Sequence, residues 1–259
     1  MTTFRAALLA AAILTPAAAL ARPMTPEDVA RMESVGAIAV SPDGSRVAFG
    51  KNALPDITAG EKNGSTETTL YVATGPNAAQ EFLPEGTDVS GIQFTPDGRM
   101  LSFLWKEEGE DAKRALYAIP LAGGSHRKIA SLDDGNVGNY AWAPDSRTVY
   151  FVATAADDTQ RKAESKAGFN ARIYEEEQRF NRVYAYDTQG SEDAEPRLIE
   201  TGSQITTIRL SPDGRTLALG SSPSTLVDDS YTKQRVILVD AATGRWRAEV
   251  ATPGKIDDF

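Results

Sequence analysis

Residues with the chemistry for covalent catalysis are scarce in this sequence. Hydrolysis by an activated serine needs the nucleophile, a histidine base and an acid that orients the base. The sequence has one histidine, His126, in the polar stretch LAGGSHRKI. The serine-rich run GSSPS, residues 220 to 224, lacks the G-x-S-x-G pattern that holds a nucleophile on a strand-to-helix turn. We therefore expect His126 to be an exposed turn residue, and we assign no catalytic residue within residues 1 to 259.

Acidic residues occur in pairs that could bind a cation. The pairs are Glu107-Glu108, Asp133-Asp134, Asp157-Asp158 and Asp228-Asp229. None shows the spaced oxygen ligands around a central glycine that form a calcium loop. The sequence also contains no cysteine, which excludes thiolate metal sites and disulfides. We predict no metal site and no cofactor, and we interpret the acidic pairs as solvated loop charge.

The first 21 residues, MTTFRAALLAAAILTPAAALA, have the order of a secretory signal peptide: a basic residue, an apolar stretch and an A-x-A site. The alternative is a transmembrane anchor, which needs about 20 apolar residues, whereas the strongly apolar part covers only residues 6 to 14. We predict cleavage after Ala21, export to the periplasm or the outside of a bacterial cell, and no membrane anchor afterwards. The net charge of −9 makes nucleic acid and anionic membranes poor partners.

One pattern is repeated four times along the chain. Each copy has two short apolar runs on either side of a Pro-Asp-Gly or Pro-Asp-Ser turn, and the copies occupy residues 38 to 50, 92 to 104, 140 to 152 and 208 to 220. Proline presets φ early in the turn, aspartate bonds to nearby backbone, and glycine accepts a positive φ. Each copy therefore predicts a tight β-hairpin. Ser146 replaces the glycine in the third copy, which predicts a strained or different turn there.

A third strand and a weaker apolar run follow each hairpin, which makes four strands per repeat. Four-stranded antiparallel units that recur at about 40 to 50 residues are typical of β-propeller blades. The strands are almost continuously apolar, as expected for sheets buried on both faces. A β-sandwich is the alternative, but it leaves the fourfold pattern unexplained. We predict an all-β propeller with a leader helix at residues 22 to 36 and blades at about 37 to 86, 87 to 134, 135 to 202 and 203 to 254.

The last five residues, KIDDF, repeat the lead-in that precedes each hairpin. We therefore expect a fifth blade to begin at residue 255 and the natural protein to continue beyond Phe259. The connections between the second and third strands of each repeat vary most in length. These connections should all emerge on one face of the propeller. Because binding sites are often built on variable connections, we expect substrate binding on that face.

The sequence from residue 24 onward resembles a known enzyme family. A short predicted helix, MTPEDVARMESVG, stands between the export signal and the first hairpin, SPDGSRVAF. This order is similar to the start of secreted bacterial serine peptidases of the prolyl oligopeptidase family, in the dipeptidyl and acylaminoacyl peptidase branches. The resemblance implies a propeller that gates peptide substrates towards a C-terminal α/β-hydrolase domain of the same parent chain, which would carry Ser, Asp and His. TolB-type periplasmic propellers share these hairpins, so a non-enzymatic propeller that binds a protein partner is the alternative.

The longest connection, residues 155 to 182, mixes acidic and basic residues, and such runs usually form solvated surface. Its segment Tyr174-Glu175-Glu176-Glu177 is similar to the Y-E-E-E segment of dipeptidyl peptidase IV-like enzymes, where glutamates hold the free amino terminus of the peptide. The resemblance makes Glu175 and Glu176 candidate substrate-binding residues, since paired carboxylates form charge-assisted hydrogen bonds with an amine. Here the segment precedes a third strand, whereas in that family it leads into the next blade.

Overall fold

The described part of the chain forms four separate antiparallel sheets. The computed structural model describes residues 22–84, 87–109, 112–133, 135–154, 159–171, 173, 178–191, 194–251, 256 and 259. Within these residues, each sheet contains four strands that are neighbours in chain order. The prediction of an all-β fold built from four-stranded antiparallel blades is confirmed. The predicted signal peptide, residues 1 to 21, and most of the predicted start of a fifth blade lie outside the described residues.

The four sheets, called blades 1 to 4 below, have the following strands. Blade 1 contains β1 (Ser34–Val40), β2 (Val47–Ala53), β3 (Glu67–Ala73) and β4 (Ala79–Glu81). Blade 2 contains β5 (Ser90–Phe94), β6 (Met100–Lys106), β7 (Arg114–Pro120) and β8 (Arg127–Ala130). Blade 3 contains β9 (Val137–Trp142), β10 (Thr148–Thr154), β11 (Asn181–Asp187) and β12 (Arg197–Ile199). Blade 4 contains β13 (Gln204–Leu210), β14 (Thr216–Ser222), β15 (Arg235–Asp240) and β16 (Trp246–Val250).

A short helix, α1 (Pro26–Ala30), precedes blade 1. The Thr25 hydroxyl accepts a hydrogen bond from the Asp28 amide, and the Asp28 carboxylate accepts one from the Thr25 amide at 2.8 Å. This capping box satisfies two of the amide groups that a helix start leaves without partners. The helix is shorter than the predicted range of 22 to 36. Gly36, expected to end it, lies within β1, because β1 already pairs with β2 from Ser34.

The four Pro-Asp turns share one backbone conformation. Gly44, Gly98 and Gly214 have φ values of 72°, 67° and 71°, and Ser146 has a φ of 55° in the third turn. The left-handed conformation costs a non-glycine residue about 1–2 kcal/mol. The Ser146 hydroxyl offsets part of this cost by accepting a hydrogen bond from the Asp97 amide at 2.9 Å, which glycine could not do. The strained turn therefore also joins blade 3 to blade 2.

Among the described residues, three apolar cores lie between consecutive blades. Blades 1 and 2 share the cluster that includes Leu70 and Phe103, blades 2 and 3 share the one with Leu116 and Phe151, and blades 3 and 4 share the one with Val183 and Leu219. Alternate residues of one strand enter different cores: Leu101 faces blade 1, whereas Leu104 faces blade 3. Both faces of an inner blade are therefore buried, which explains why its strands are almost continuously apolar.

One end of the blades carries most of the irregular structure. Helices α2 (Thr159–Lys166) and α3 (Val227–Thr232) and a 3₁₀ turn (Ile57–Ala59) lie in connections between the second and third strands. The opposite end has the short Pro-Asp turns. Because the strands are antiparallel, the links from one blade to the next emerge at the same end as these longer connections. We call this end the decorated face.

Candidate functional site

The two candidate substrate-binding residues, Glu175 and Glu176, lie outside the described residues, so their role stays a prediction. The segment that follows them is fixed in place. The Gln178 side-chain oxygen accepts a hydrogen bond from the Thr225 amide at 3.0 Å, and the Asn181 amide donates to the Gln204 side chain at 2.6 Å. The end of the blade 3 insertion is therefore tied to blade 4 on the decorated face.

His126 is half-buried, so the expectation of an exposed turn residue is wrong. Its ring lies edge-on to Trp105 at a centroid distance of 5.1 Å, and it also packs against Tyr117 and Phe103 at 5.9 and 6.4 Å. In the described part of the chain, His126 makes no hydrogen bond to a serine or a carboxylate. The apolar packing of its ring explains why His126 is withdrawn from solvent.

The acidic residue nearest this aromatic cluster is already satisfied. Glu107 accepts a hydrogen bond from the Tyr117 hydroxyl, and Lys128 Nζ lies 3.4 Å from Glu107 Oε1. The Tyr117 hydrogen bond, followed by the charge of Lys128, lowers the pKa of Glu107 below its usual value. Burial raises the pKa of Tyr117. Among the described residues, no group of three or more His, Cys, Asp and Glu side chains could hold a metal ion.

The serine-rich run, residues 220 to 224, spans the end of β14, and its serines have structural roles. The Ser221 hydroxyl donates to the Ser203 hydroxyl at 2.7 Å, and the Ser222 hydroxyl donates to the Ser224 carbonyl at 2.8 Å. Ser221 and Ser222 are 8% and 1% exposed. Both hydroxyls therefore hold the start of the β14–β15 connection, and neither is presented to a substrate.

A cleft of about 470 Å³ opens on the decorated face at blade 2. Its lining includes Asp88 from the link between blades 1 and 2 and Ser90 at the start of β5. Lys113 comes from the β6–β7 connection, Lys106 and Arg114 from the ends of those two strands, and Asn136 from the next link. No sequence pattern indicates this site, because the lining comes from three separate stretches of the chain. Three positive side chains and one negative side chain line it, so the cleft can attract an anion.

The end of the β6–β7 connection is held by two hydrogen bonds. The Arg114 amide donates to the Asn136 side-chain oxygen at 2.8 Å, and Arg114 Nε donates to the Val137 carbonyl at 2.7 Å. These bonds fix the guanidinium plane relative to the link between blades 2 and 3.

No helix in the described residues is long and apolar enough to cross a membrane.

No family model matches the sequence, but individual proteins resemble parts of it. Over 134 residues it is 25% identical to the uncharacterized peptidase YuxL of Bacillus subtilis (strain 168), a match that covers 52% of this chain and 19% of that protein. Over 131 residues it is 29% identical to dipeptidyl-peptidase 5 of Porphyromonas gingivalis, covering 46% of this chain and 18% of that protein. The matched part is thus less than a fifth of each relative.

Solved structures share the fold at lower identity. The acylaminoacyl peptidase of Pyrococcus horikoshii has a TM-score of 0.58 at 14% identity, over 87% of this chain and 34% of that one. TolB from Acinetobacter baumannii has a TM-score of 0.52 at 18% identity, over 83% of this chain and 43% of that one. The arrangement of blades therefore occurs both in a peptidase and in TolB, and the fold alone does not choose between them.

Proposed function

We propose that this chain is the propeller part of an exported serine peptidase of the prolyl oligopeptidase family. The observation that carries the proposal is the sequence similarity to proteins named as peptidases, which extends over about half of the chain. The order of leader helix and Pro-Asp hairpins supports it. The catalytic serine, aspartate and histidine belong to an α/β-hydrolase domain elsewhere in the parent protein.

In this proposal the propeller binds and admits peptides, and the hydrolase domain cleaves them. The stacked blades form a rigid wall, because consecutive blades share buried cores. The decorated face carries the variable connections and the cleft at blade 2, so it is the side on which a peptide would be selected. Rigid scaffolds that present variable loops are a common basis for binding sites.

The test of this function is serine labelling of the full-length protein. We expect the natural gene to encode a G-x-S-x-G motif followed by Asp and then His. The purified protein should react with a fluorophosphonate probe and cleave short peptides, and replacing the motif serine with alanine should abolish both. A gene that encodes further Pro-Asp hairpins and no such motif would instead support the second candidate.

The second candidate is a non-enzymatic periplasmic propeller that binds a protein partner. The likeness of the blades to TolB from Acinetobacter baumannii favours it over other non-enzymatic functions. It predicts no fluorophosphonate labelling of the full-length protein. It also predicts that peptides are hydrolysed no faster with the protein than in buffer alone.

Glu175 and Glu176 are proposed to bind the free amino terminus of the peptide substrate. In the full-length enzyme, the double variant Glu175→Gln/Glu176→Gln should raise KM about tenfold or more for peptides with a free amino terminus, because hydrogen bonds to charged groups contribute about 1.5–3 kcal/mol. KM for the same peptides with an acetylated amino terminus should not change. The matched control, Glu195→Gln/Glu200→Gln, removes the same charge from exposed positions of blade 3. Equal KM values for the two double variants would remove the proposed role.

A further inference from the structure

Blade 2 differs from the other blades in the last residue pair of its second and third strands. In blade 2 this pair is Lys106 opposite Arg114. The corresponding pairs are Ala53–Glu67 in blade 1, Thr154–Asn181 in blade 3 and Ser221–Arg235 in blade 4. Residues directly opposite each other in antiparallel strands lie close on the same face of the sheet, and two like charges there are destabilising. Blade 2 therefore places two positive charges together where the other three blades do not.

No carboxylate of the described chain neutralises these charges. Lys106, Lys113 and Arg114 form no ion pair with a described residue. On other blades, for comparison, Arg147 pairs with Asp187, and Arg235 Nε lies 3.6 Å from Glu249. The whole chain carries a net charge of −9, so this group of three cations, which has no carboxylate partner among the described residues, is opposite in sign to the chain as a whole. An anion bound between them would relieve their mutual repulsion.

The cleft beside this pair has a suitable size and a defined geometry. Its volume of about 470 Å³ lies within the range of about 300–1,000 Å³ found for small-molecule sites. The bond from Arg114 Nε to the Val137 carbonyl, 2.7 Å long, fixes the guanidinium, and its two terminal nitrogens make no hydrogen bond to a described residue. A planar guanidinium matches a carboxylate with two parallel hydrogen bonds, and a lysine ammonium adds charge.

We infer that this cleft binds the carboxylate of a short peptide, either at its C-terminus or on an acidic side chain. Asp88 also lines the cleft, and its charge together with that of the whole chain disfavours polyanions such as polyphosphate or nucleic acid. The choice of a peptide as the ligand rests on the proposed function. The choice of a carboxylate rests on the cleft alone.

Binding of three blocked peptides to the full-length protein tests this inference. The protein is first treated with a fluorophosphonate, so that any serine active site cannot cleave the probes. Calorimetry then compares acetyl-Ala-Ala-Ala, which has a free carboxylate, with its C-terminal amide and with acetyl-Ala-Glu-Ala-amide. We expect the free acid to bind at least about tenfold more tightly than the amide, and more weakly as salt is raised. Binding of the glutamate peptide would show that a side-chain carboxylate is also accepted.

Paired variants locate the site. Lys106→Gln/Lys113→Gln leaves Arg114 and its structural hydrogen bonds intact and should weaken binding of the free acid about tenfold or more. The control Lys62→Gln/Lys166→Gln removes the same charge from two exposed lysines in other connections and should leave the affinity unchanged. Circular dichroism should show that both variants are folded.

Three results would overturn the inference: neither carboxylate-bearing peptide binds, both carboxylate-bearing peptides bind no more tightly than acetyl-Ala-Ala-Ala-amide, or the two double variants have equal effects. None of these depends on catalysis, since labelling of the active serine and peptide hydrolysis are scored separately. If the protein binds the free acid but is not labelled by the fluorophosphonate, the inference about the cleft stands and the proposed peptidase function is wrong.

Discussion

Residues 22 to 259 produced alone are expected to self-associate through the outer face of blade 1. Val35, Ile38 and Val40 of β1 are 59%, 63% and 60% exposed. Ile38 lies opposite Phe49, which in turn lies opposite Tyr71, so these apolar side chains form one continuous surface. Soluble monomers rarely expose such a surface without a partner. The double variant Ile38→Lys/Val40→Lys should weaken self-association at least about tenfold, since burying one such side chain contributes about 1.5–3 kcal/mol.

Sedimentation velocity over a range of concentrations measures this effect. The matched control is Val29→Lys/Ile57→Lys, because Val29 and Ile57 are 51% and 56% exposed but lie outside the sheet. The control should associate like the parent chain. A parent chain that stays monomeric at all concentrations and unfolds in one sharp, concentration-independent transition would contradict the prediction. In the full-length protein, the same β1 variant should lower the melting temperature if another part of the chain covers this face.

Replacement of Ser102 by alanine is expected to lower the free energy of unfolding by about 1–3 kcal/mol. Ser102 is fully buried. Its hydroxyl accepts a hydrogen bond from Trp142 Nε1 at 2.9 Å, contacts the Tyr140 hydroxyl at 3.0 Å and lies 2.9 Å from the Gln93 carbonyl. Alanine removes the acceptor for a buried indole N–H, which then has neither water nor protein as a partner. Because Ser102 is in blade 2 and Trp142 in blade 3, the loss loosens the contact between the two blades.

A double-mutant cycle separates the hydrogen bond from the change in volume. Ser102→Ala and Trp142→Phe should each destabilise the protein, and the double variant should lose less than the sum by about 0.5–3 kcal/mol. Urea unfolding followed by tryptophan fluorescence and circular dichroism measures the four free energies. Strict additivity would show that the hydroxyl and the indole do not act as a pair.

Local patterns predicted the elements of this protein well. The Pro-Asp turns specify the hairpins by themselves, since φ preferences and side-chain bonds to the backbone act within four residues. Ser146 is an example: the sequence predicts a strained or different turn, and its φ of 55°, close to that of the three glycines, shows the same turn with strain. The bond from Asp97 to Ser146 was not predictable, because it joins residues of two different blades.

Among the residues considered for a site, some expectations agree with the structure and one does not. The absence of a nucleophile motif was read directly from the sequence, and the structure adds that Ser221 and Ser222 are buried in local hydrogen bonds. His126 was predicted wrongly, because the polar residues beside it gave no sign of Trp105 and Tyr117, which approach from β6 and β7. A polar stretch predicts exposure only when no other element packs over it.

The sequence by itself determined the four blades of the described residues, their four-stranded composition and the turns within them, because these depend on short-range backbone preferences and on apolar patterning. Only the tertiary structure decided which strand faces share a core and how Ser102 joins two blades. It also decided that Lys106, Lys113 and Arg114 line one cleft together with Asp88 and Asn136. These groupings bring together residues from separate stretches of the chain. Packing, burial and charge act through space, so contacts between distant residues exist only once the blades have stacked.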